Sequence, residues 1–270
     1  MNEERISFDR VSNVYDMTRA MPPEMEKAVL NTLIDCSGID NFSRVLELGV
    51  GTGRIAGPIS DKIPTQYFGI DISRKMMGKI KEKKHNRVNL VCGDVCALPF
   101  KSYSFDVVLV VHVFHLVRDW HCAIREALRV LSQRGVMIVA GEGSSGTGML
   151  DLFMNGMKPE PKQELIAIVQ KLNLKQNIVG MTDMDEATDL LKQLGASVTL
   201  PPQIEHVMEV PLSIMLALMQ GRVFTALWEV PDNVLSEAVS EMRRVFEKYY
   251  GDLNTLIPLM RRFKIVRAAL

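Results

Sequence analysis

A glycine-rich stretch near residue 50 contains the residues whose spacing is most informative about chemistry. Val45–Arg54 reads VLELGVGTGR, so Gly49, Gly51 and Gly53 follow a short apolar run. Because glycine has no Cβ, the backbone there can turn tightly and lie directly against a ligand. A helix that begins after such a loop directs its unpaired N–H groups towards the same ligand. The stretch therefore predicts a site for a polar ligand at the end of a strand.

The spacing of these glycines distinguishes the loop from the dinucleotide-binding fingerprint. That fingerprint, GxGxxG, requires a third glycine three residues after the second, but Arg54 occupies this position. The pattern that fits is acid-x-Gly-x-Gly-x-Gly, in which Glu47 supplies the acid. A glycine-rich loop can also be no more than a turn, so its interpretation depends on the residues that follow.

Two acidic residues follow the next two apolar runs. Asp71 comes eighteen residues after Gly53, and Asp94 comes after the run beyond it. A carboxylate at the first position can accept hydrogen bonds from both hydroxyls of a ribose. A carboxylate at the second can accept one from the exocyclic amine of an adenine. Alternatively, Asp71 only caps a helix and Asp94 only stabilises a turn.

The elements that must position these residues alternate along the chain. Short apolar runs predict five strands, and Ser73 is a predicted helix cap. Strand and helix in alternation at this spacing predict βαβ units, a parallel sheet and right-handed crossovers. The predicted strands are Arg44–Leu48, Gln66–Ile70, Val88–Cys92, Phe105–Val111 and Gly135–Ala140, and the predicted helices are Thr52–Lys62, Ser73–Lys84 and Trp120–Leu131.

Composition limits the class of protein. The chain has 270 residues, 47% of them hydrophobic, and 32 Lys and Arg balance 32 Asp and Glu. A protein that binds nucleic acid through phosphates would carry a basic excess, and the basic run Arg74–Arg87 is interpreted as the solvated face of a helix. The longest apolar stretch, Phe105–Val117, falls short of the roughly 20 residues of a membrane span, and Met1–Arg10 has no apolar core typical of a signal peptide. We therefore expect a cytoplasmic protein without a membrane span.

The four cysteines are too few for a disulfide scaffold. The cysteines and histidines between residues 92 and 122 could form a metal site, although Cys92 and Cys96 do not have the spacing of a CxxC pair. We prefer the interpretation that these residues are buried and pack like small hydrophobic residues. No metal is predicted. The residues concerned are Cys92, Cys96, Cys122, His112, His115 and His121.

Five segments of the chain resemble, in order and spacing, the motifs of class I S-adenosylmethionine-dependent methyltransferases of the ubiquinone/menaquinone-biosynthesis-like (methyltransferase type 11) group. Phe8–Pro23 is also similar to the amino-terminal helix of that family, which carries a Tyr-Asp pair and closes over the cofactor. Two segments depart from the family: Ser132–Gly135 replaces its Pro-Gly-Gly turn, and Arg118 replaces a common proline. The five segments are Val45–Arg54, Tyr67–Ser73, Cys92–Phe100, Ser104–Trp120 and Ala127–Glu142.

The resemblance implies S-adenosyl-L-methionine as the cofactor and S-adenosyl-L-homocysteine as the product. Glu47 is then expected to orient the methionine ammonium, directly or through water. Gly49 and Gly51 are expected to pass under the methionine and the ribose, and Asp71 is expected to hold the ribose diol.

The same resemblance implies contacts at both ends of the cofactor. Ile72 and Val95 are expected to sandwich the adenine, with Asp94 at its amino group. Val111 and His112, at the end of the fourth predicted strand, are expected near the methionine moiety.

Methyl transfer itself requires few protein groups. The sulfonium is already a strong electrophile, so an in-line displacement is expected in which positioning of the acceptor contributes on the order of 7–11 kcal/mol. A phenol or an activated carbon would also need a base, and the candidates by location are His115, His112, Glu142 and Tyr15. We select His115, although a histidine after an apolar strand can equally be structural. The resemblance also implies that Tyr15 and Arg19 approach the cofactor from the amino-terminal helix.

The predicted fold class is α/β: a doubly wound, mostly parallel, seven-stranded Rossmann-like sheet with a helical lid inserted after the fifth strand. We expect residues 1–142 to form an N-terminal helix and the cofactor-binding core. Residues 143–230 should form the lid and acceptor region with part of the sheet, and residues 231–270 a C-terminal helix and a strand that completes the core. The later predicted elements are helices Pro161–Leu174, Asp185–Leu194, Leu212–Met219 and Asn233–Tyr250 and strands Ala196–Leu200, Glu205–Val210 and Arg262–Ala268.

The acceptor must be inferred from this later region. Met149–Met219 holds eight of the 17 methionines, and methionine suits surfaces that adapt to apolar ligands. This favours a small or medium, largely apolar acceptor and no nucleic-acid partner, although core packing explains the methionines equally well. Two other classes stay open: a methyltransferase acting on tRNA or protein, and a catalytically silent cofactor-binding protein or nucleotide-dependent oxidoreductase. The sequence does not indicate the oligomeric state.

Overall fold

The computed structural model describes residues 16, 21–142, 154, 156–171, 179–223 and 227–270. These ranges contain eight α-helices and eight β-strands. The helices are α1 (Pro23–Ser37), α2 (Ala56–Lys62), α3 (Arg74–Glu82), α4 (Trp120–Val130), α5 (Pro159–Lys171), α6 (Met184–Gln193), α7 (Leu212–Gln220) and α8 (Asp232–Tyr250). The strands are β1 (Arg44–Leu48), β2 (Gln66–Asp71), β3 (Val88–Cys92), β4 (Phe105–Val111), β5 (Leu131–Glu142), β6 (Ser197–Thr199), β7 (Ile204–Pro211) and β8 (Leu256–Ala269).

The strands form one sheet with the order β3-β2-β1-β4-β5-β8-β6, and β7 pairs with β8 outside this path. The first five strands are parallel to their neighbours. β8 is antiparallel to both β5 and β6. The predicted α/β fold, with a doubly wound, mostly parallel, Rossmann-like sheet, is confirmed. The sheet has eight strands rather than seven, because β7, which was predicted as a strand at Glu205–Val210, also pairs within it.

A hydrophobic core covers each face of the parallel part of the sheet. Leu46 and Leu48 pack on one face with residues of α4 and α6. Val45 and Tyr67 pack on the other face with residues of α1, α2 and α3. Each fully buried side chain of this size contributes about 1.5–3 kcal/mol to folding. Burial on both faces also explains why these strands read as continuous apolar runs in the sequence.

Local signals set the ends of the helices. The Ser73 hydroxyl accepts the N–H of Met76 at 3.0 Å and caps α3, as predicted. α2 begins at Ala56 rather than at Thr52, because the preceding residues turn and the Gly53 N–H bonds the Val50 carbonyl. α1 was not predicted from the sequence, although it begins at a proline, a residue that is common at the first position of a helix.

Two strands are longer than predicted. β5 begins at Leu131 rather than Gly135, with an irregular register in which Phe105 pairs with Leu131 but Val107 pairs with Val136. β8 begins at Leu256 rather than Arg262, since its first half continues beyond the part that pairs with β5.

The chain divides into two compact units. The first comprises Met1–Gly143, Val179–Ile204 and Phe263–Leu270, and the second comprises Ser144–Ile178 and Glu205–Arg262. The second unit has a hydrophobic core of its own, built from α5, α7, α8 and neighbouring strand residues. The division at residues 142 and 230 stays a prediction, and it separates α8 from the helices with which α8 shares this core. No helix in the described ranges is long and apolar enough to cross a membrane.

Gly69, in β2, provides a test of how the glycine-rich loop packs on the sheet. A Cβ at Gly69 would lie 2.6 Å from Cγ2 of Val50. Gly69→Ala should therefore destabilise the protein by roughly 1–3 kcal/mol through overpacking. Gly78→Ala, in α3, is the matched control, because a Cβ there meets no atom within 4 Å and helix propensity favours alanine by up to about 1 kcal/mol. Denaturant unfolding measures both changes, and an equal stability of the two variants would contradict this packing.

Candidate functional site

The loops that follow β1, β2, β3 and β4 carry most of the predicted site residues. These strands are parallel neighbours in the first unit, so their carboxyl ends meet at one edge of the sheet. Open parallel sheets bind their ligands outside this edge. The structure therefore brings together the glycine-rich loop, Asp71, Asp94 and His112.

The glycine-rich loop turns back over β2. The N–H groups of Gly49 and Val50 both donate to the carbonyl of Ile70, at 2.8 and 3.1 Å. Gly49 has a φ of +66°, and a Cβ there would lie 2.5 Å from a methyl group of Val113. Gly51 has a φ of +53°, but the nearest atom to its added Cβ is a methionine methyl at 3.7 Å. Gly49 thus anchors the loop, whereas the backbone at Gly51 is loosely covered and can approach a ligand closely.

Asp71 joins the loops after β1 and β2. Its Oδ2 accepts the N–H of Gly51 at 2.9 Å, and its Oδ1 accepts the N–H of Ser73 at 2.8 Å. Asp71 is half-buried. One carboxylate thus holds the loops after two strands together. The binding of a ribose by Asp71 stays a prediction.

Glu47 lies inside the protein immediately before the glycine-rich loop. It is 2% exposed, and its Oε2 accepts a hydrogen bond from the hydroxyl of Tyr67 at 2.7 Å. Burial, reinforced by the negative charge of Asp71, raises the pKa of Glu47 to about 8. The hydrogen bond from Tyr67 and the charge of Arg54 act in the opposite direction. Burial therefore favours the protonated form of Glu47.

The predicted adenine contacts lie on the loops after β2 and β3. Asp94 Oδ1 accepts the N–H of Cys96 at 2.9 Å, which closes a turn. Val95 is buried, whereas Ile72 is 40% exposed. β2 and β3 are paired so that Asp71 lies beside Cys92, which places both loops at adjacent strand ends. The adenine sandwich itself stays a prediction.

His112 has an uncommon backbone conformation at the end of β4. Its φ is +58°, a region in which residues other than glycine are infrequent and are often found at functional sites. Its N–H donates to the Ala140 carbonyl at 2.9 Å, and its ring meets Phe263 edge-on with centroids 5.6 Å apart. The preceding residue, Val111, is buried. The strained turn thus fixes the His112 ring at the carboxyl edge.

His115 lies three residues further on, in the 3₁₀ turn Phe114–Leu116. It is half-buried, and its carbonyl accepts the N–H of Gly180 at 3.3 Å. Its backbone thus connects the turn after β4 to the segment that precedes α6. The catalytic role of His115 stays a prediction.

The resemblance did not assign a role to Asp16. Its carboxylate accepts a hydrogen bond from the hydroxyl of Thr52 and forms an ion pair with Lys83. Lys83 also donates to the carbonyl of Thr52 at 3.0 Å. Asp16 therefore ties a residue before α1 to the glycine-rich loop. Tyr15 and Arg19, which were predicted to act from this segment, lie outside the described residues.

The cysteines do not all have the predicted burial. All four are free, and Cys92 is exposed, so its interpretation as a buried hydrophobic residue is wrong. Cys96 and Cys122 are half-buried. In the part of the chain that the structure describes, no three His, Cys, Asp or Glu side chains form a group suited to a metal ion.

The sequence and the fold are both similar to those of known proteins. Residues 46–139 match the family model described as "Methyltransferase domain". A demethylmenaquinone methyltransferase of Thermotoga maritima is 31% identical over 138 residues, which are 49% of this chain and 58% of that relative. The chain therefore spans less than two thirds of this curated relative.

Solved structures share the architecture at low identity. The YcgJ protein of Bacillus subtilis has a TM-score of 0.60 and 17% identity, over 90% of this chain and 98% of its own. Phosphoethanolamine N-methyltransferase 2 of Haemonchus contortus, solved in complex with S-adenosyl-L-methionine, has a TM-score of 0.54 and 18% identity, over 97% of this chain and 57% of its own. Both similarities establish the fold.

The proton on Glu47 predicts a characteristic dependence of stability on pH. The unfolded side chain ionises near pH 4.5, whereas the folded one keeps its proton up to about pH 8. Unfolding thus releases a proton between these values, so the free energy of unfolding should fall as the pH rises through this window, by on the order of 3–5 kcal/mol in total. Glu47→Gln, which cannot titrate, should remove this decrease.

Denaturant unfolding at pH 5 and pH 8.5 tests this dependence. Glu24→Gln is the control, since Glu24 is exposed on α1 and its replacement should leave the wild-type decrease in place. If Glu47→Gln loses as much stability as the wild type between the two pH values, Glu47 is already ionised in the folded protein.

Proposed function

We propose that this chain, whose residues 46–139 match a methyltransferase domain, is a class I S-adenosylmethionine-dependent methyltransferase of the ubiquinone/menaquinone type and that it methylates a small or medium, largely apolar organic acceptor. The observation that carries the proposal is the carboxylate of Asp71, which holds Gly51 and Ser73 at the edge where a ribose would bind. The apolar acceptor is supported by the named activity of the Thermotoga relative, which acts on demethylmenaquinone.

The residues at the carboxyl edge have distinct roles in this proposal. When bound, S-adenosyl-L-methionine supplies an activated methyl group for in-line displacement. Asp71 accepts hydrogen bonds from the ribose, and Gly51 lets the backbone approach the cofactor. Asp94 accepts a hydrogen bond from the adenine amine, while Ile72 and Val95 contact its two faces. Fixing the donor in one position removes part of the entropic barrier to transfer.

Two histidines follow β4 and differ in role. His112, fixed in its left-handed conformation, lines the methionine end of the cofactor together with Val111. His115, one 3₁₀ turn further along, acts as the base when the acceptor is a phenol or an activated carbon. Neutral imidazole is suited to this step because its unperturbed pKa lies close to neutral pH.

The methionines of the later region are mostly structural in the described residues. Met154, Met215 and Met219 are buried in the core of the second unit, and Met181 and Met184 are buried in the core of the first. Core packing therefore accounts for them without an acceptor. In our proposal the second unit still carries the residues that select the acceptor, because the matched methyltransferase domain ends at residue 139.

Asp71→Ala tests the cofactor site. The substitution removes hydrogen bonds to the ribose and both anchors of the loops, and charge-assisted bonds contribute about 1.5–3 kcal/mol each. We expect the affinity for S-adenosyl-L-homocysteine to fall roughly 30- to 700-fold, which corresponds to about 2–4 kcal/mol. Calorimetry measures this loss, and Asp189→Ala, at an exposed position of α6, should bind like the wild type. An unchanged affinity of Asp71→Ala would contradict the assigned role of Asp71.

Transfer of labelled methyl groups from S-adenosyl-L-methionine tests the acceptor class. Wild-type protein is incubated with a lipid-soluble metabolite extract, with RNA and with protein, and we expect label in the lipid-soluble fraction. His115→Ala should bind the cofactor normally but transfer the methyl group more slowly. Label only in RNA or protein would overturn the apolar acceptor, and an unaltered rate for His115→Ala would return His115 to a structural role.

A further inference from the structure

The buried hydrogen bond between Tyr67 and Glu47 has a consequence for cofactor binding. Tyr67 is 0% exposed and Glu47 is 2% exposed, and the phenol donates to Glu47 Oε2 at 2.7 Å. We propose that the binding of S-adenosyl-L-methionine releases a proton from Glu47, and that Tyr67 is a positioning residue which acts through Glu47 and makes this release easier. The inference rests on the proposed function, because it concerns the same cofactor site.

The strand register explains why these two residues meet. In the pairing of β1 with β2, Val45 lies opposite Tyr67 and Glu47 lies opposite Gly69. Alternate residues of a strand share a face, so Tyr67 and Glu47 lie diagonally on the same face, and the residue opposite Glu47 has no side chain. The backbone N–H of Ala56, at the start of α2, also donates to Glu47. Donors from two elements therefore fix the orientation of the Glu47 carboxyl group.

The charges around Glu47 determine whether it carries a proton. Among the described residues, the titratable and charged groups that act on it are Tyr67 and Asp71 on β2 and Arg54 before α2. Burial and Asp71 raise its pKa, and the result is about 8. The phenol bond, the Arg54 charge and the Ala56 N–H favour the carboxylate and limit the rise. Glu47 is thus close to the point at which one additional positive charge would ionise it.

The cofactor brings that positive charge. A cation near a carboxyl group favours its ionised form, so binding moves the proton from Glu47 to solvent and leaves a carboxylate paired with the ligand. By linkage, the affinity should rise with pH until Glu47 is ionised in the free protein, near pH 8, and then cease to rise. Removing the hydrogen bond from the Tyr67 hydroxyl disfavours the ionised form of Glu47. The proton is then released less readily, and binding at neutral pH weakens.

Calorimetric titration with S-adenosyl-L-homocysteine tests the coupling. At pH 7, the dependence of the observed enthalpy on the ionisation enthalpy of the buffer gives the number of protons released. We expect release of between about one half and one proton for the wild type, because the pKa of Glu47 is about 8, and a clearly smaller release for Glu47→Gln. Equal proton release by both proteins would overturn the proposal.

Tyr67→Phe distinguishes positioning from general structural damage. It should bind the ligand roughly tenfold more weakly at pH 7, as expected for loss of a hydrogen bond to a charged group. The pH at which its affinity stops rising should move upwards by about one unit. In the Glu47→Gln background the same change should have almost no effect, because the group through which Tyr67 acts no longer titrates.

An equal loss of affinity from Tyr67→Phe in both backgrounds would show that Tyr67 does not act through Glu47. The proton count of the wild type against Glu47→Gln tests the coupling even if Tyr67→Phe folds poorly. Binding of the ligand without proton release would overturn this inference alone. Absence of binding by the wild type would overturn the proposed function as well.

Discussion

The parallel pairing of β1 with β2 on one side and with β4 on the other is the constraint from which the site follows. The strand order reverses at this point, so the connections after β1 and β4 leave towards opposite faces of the sheet and a crevice opens between their loops. The glycine-rich loop, Asp71, Asp94 and His112 lie at the carboxyl ends of β1, β2, β3 and β4, respectively. Asp71 then stabilises the arrangement, since one carboxylate holds the loops after two different strands.

Much of this arrangement could be predicted from the sequence because the signals are local. β1, β3 and β4 have the predicted boundaries, since strands buried on both faces are continuous apolar runs. The methyltransferase domain that the resemblance implied is found at residues 46–139. Ser73 was predicted as a cap from its position alone, because capping depends on a residue and the next turn of helix.

Features that depend on distant residues were missed. The bond from Tyr67 to Glu47 spans twenty positions and requires the register of β1 against β2. The contact of Asp16 with Thr52 spans thirty-six positions, and only the Tyr-Asp pair in the family's amino-terminal helix pointed to that segment. α1 was also not predicted, although its buried residues Met25, Val29 and Leu33 recur every four positions, and neither was the first half of β8. The bonds of Tyr67 and Asp16 depend on tertiary contacts that no local pattern records.

The position of β8 has a consequence for synthesis of the chain. Phe263–Ala269 are the residues of β8 that pair with β5, and they leave the ribosome long after β5 itself. Until they emerge, β5 presents an open edge of unpaired N–H and C=O groups, the kind of surface on which nascent chains aggregate. The chain also passes four times between the two units, so loss of Phe263–Leu270 would remove a strand from the first unit while leaving its glycine-rich loop in the sequence. Substitutions that weaken the pairing of β8 with β5 therefore act directly on completion of the sheet.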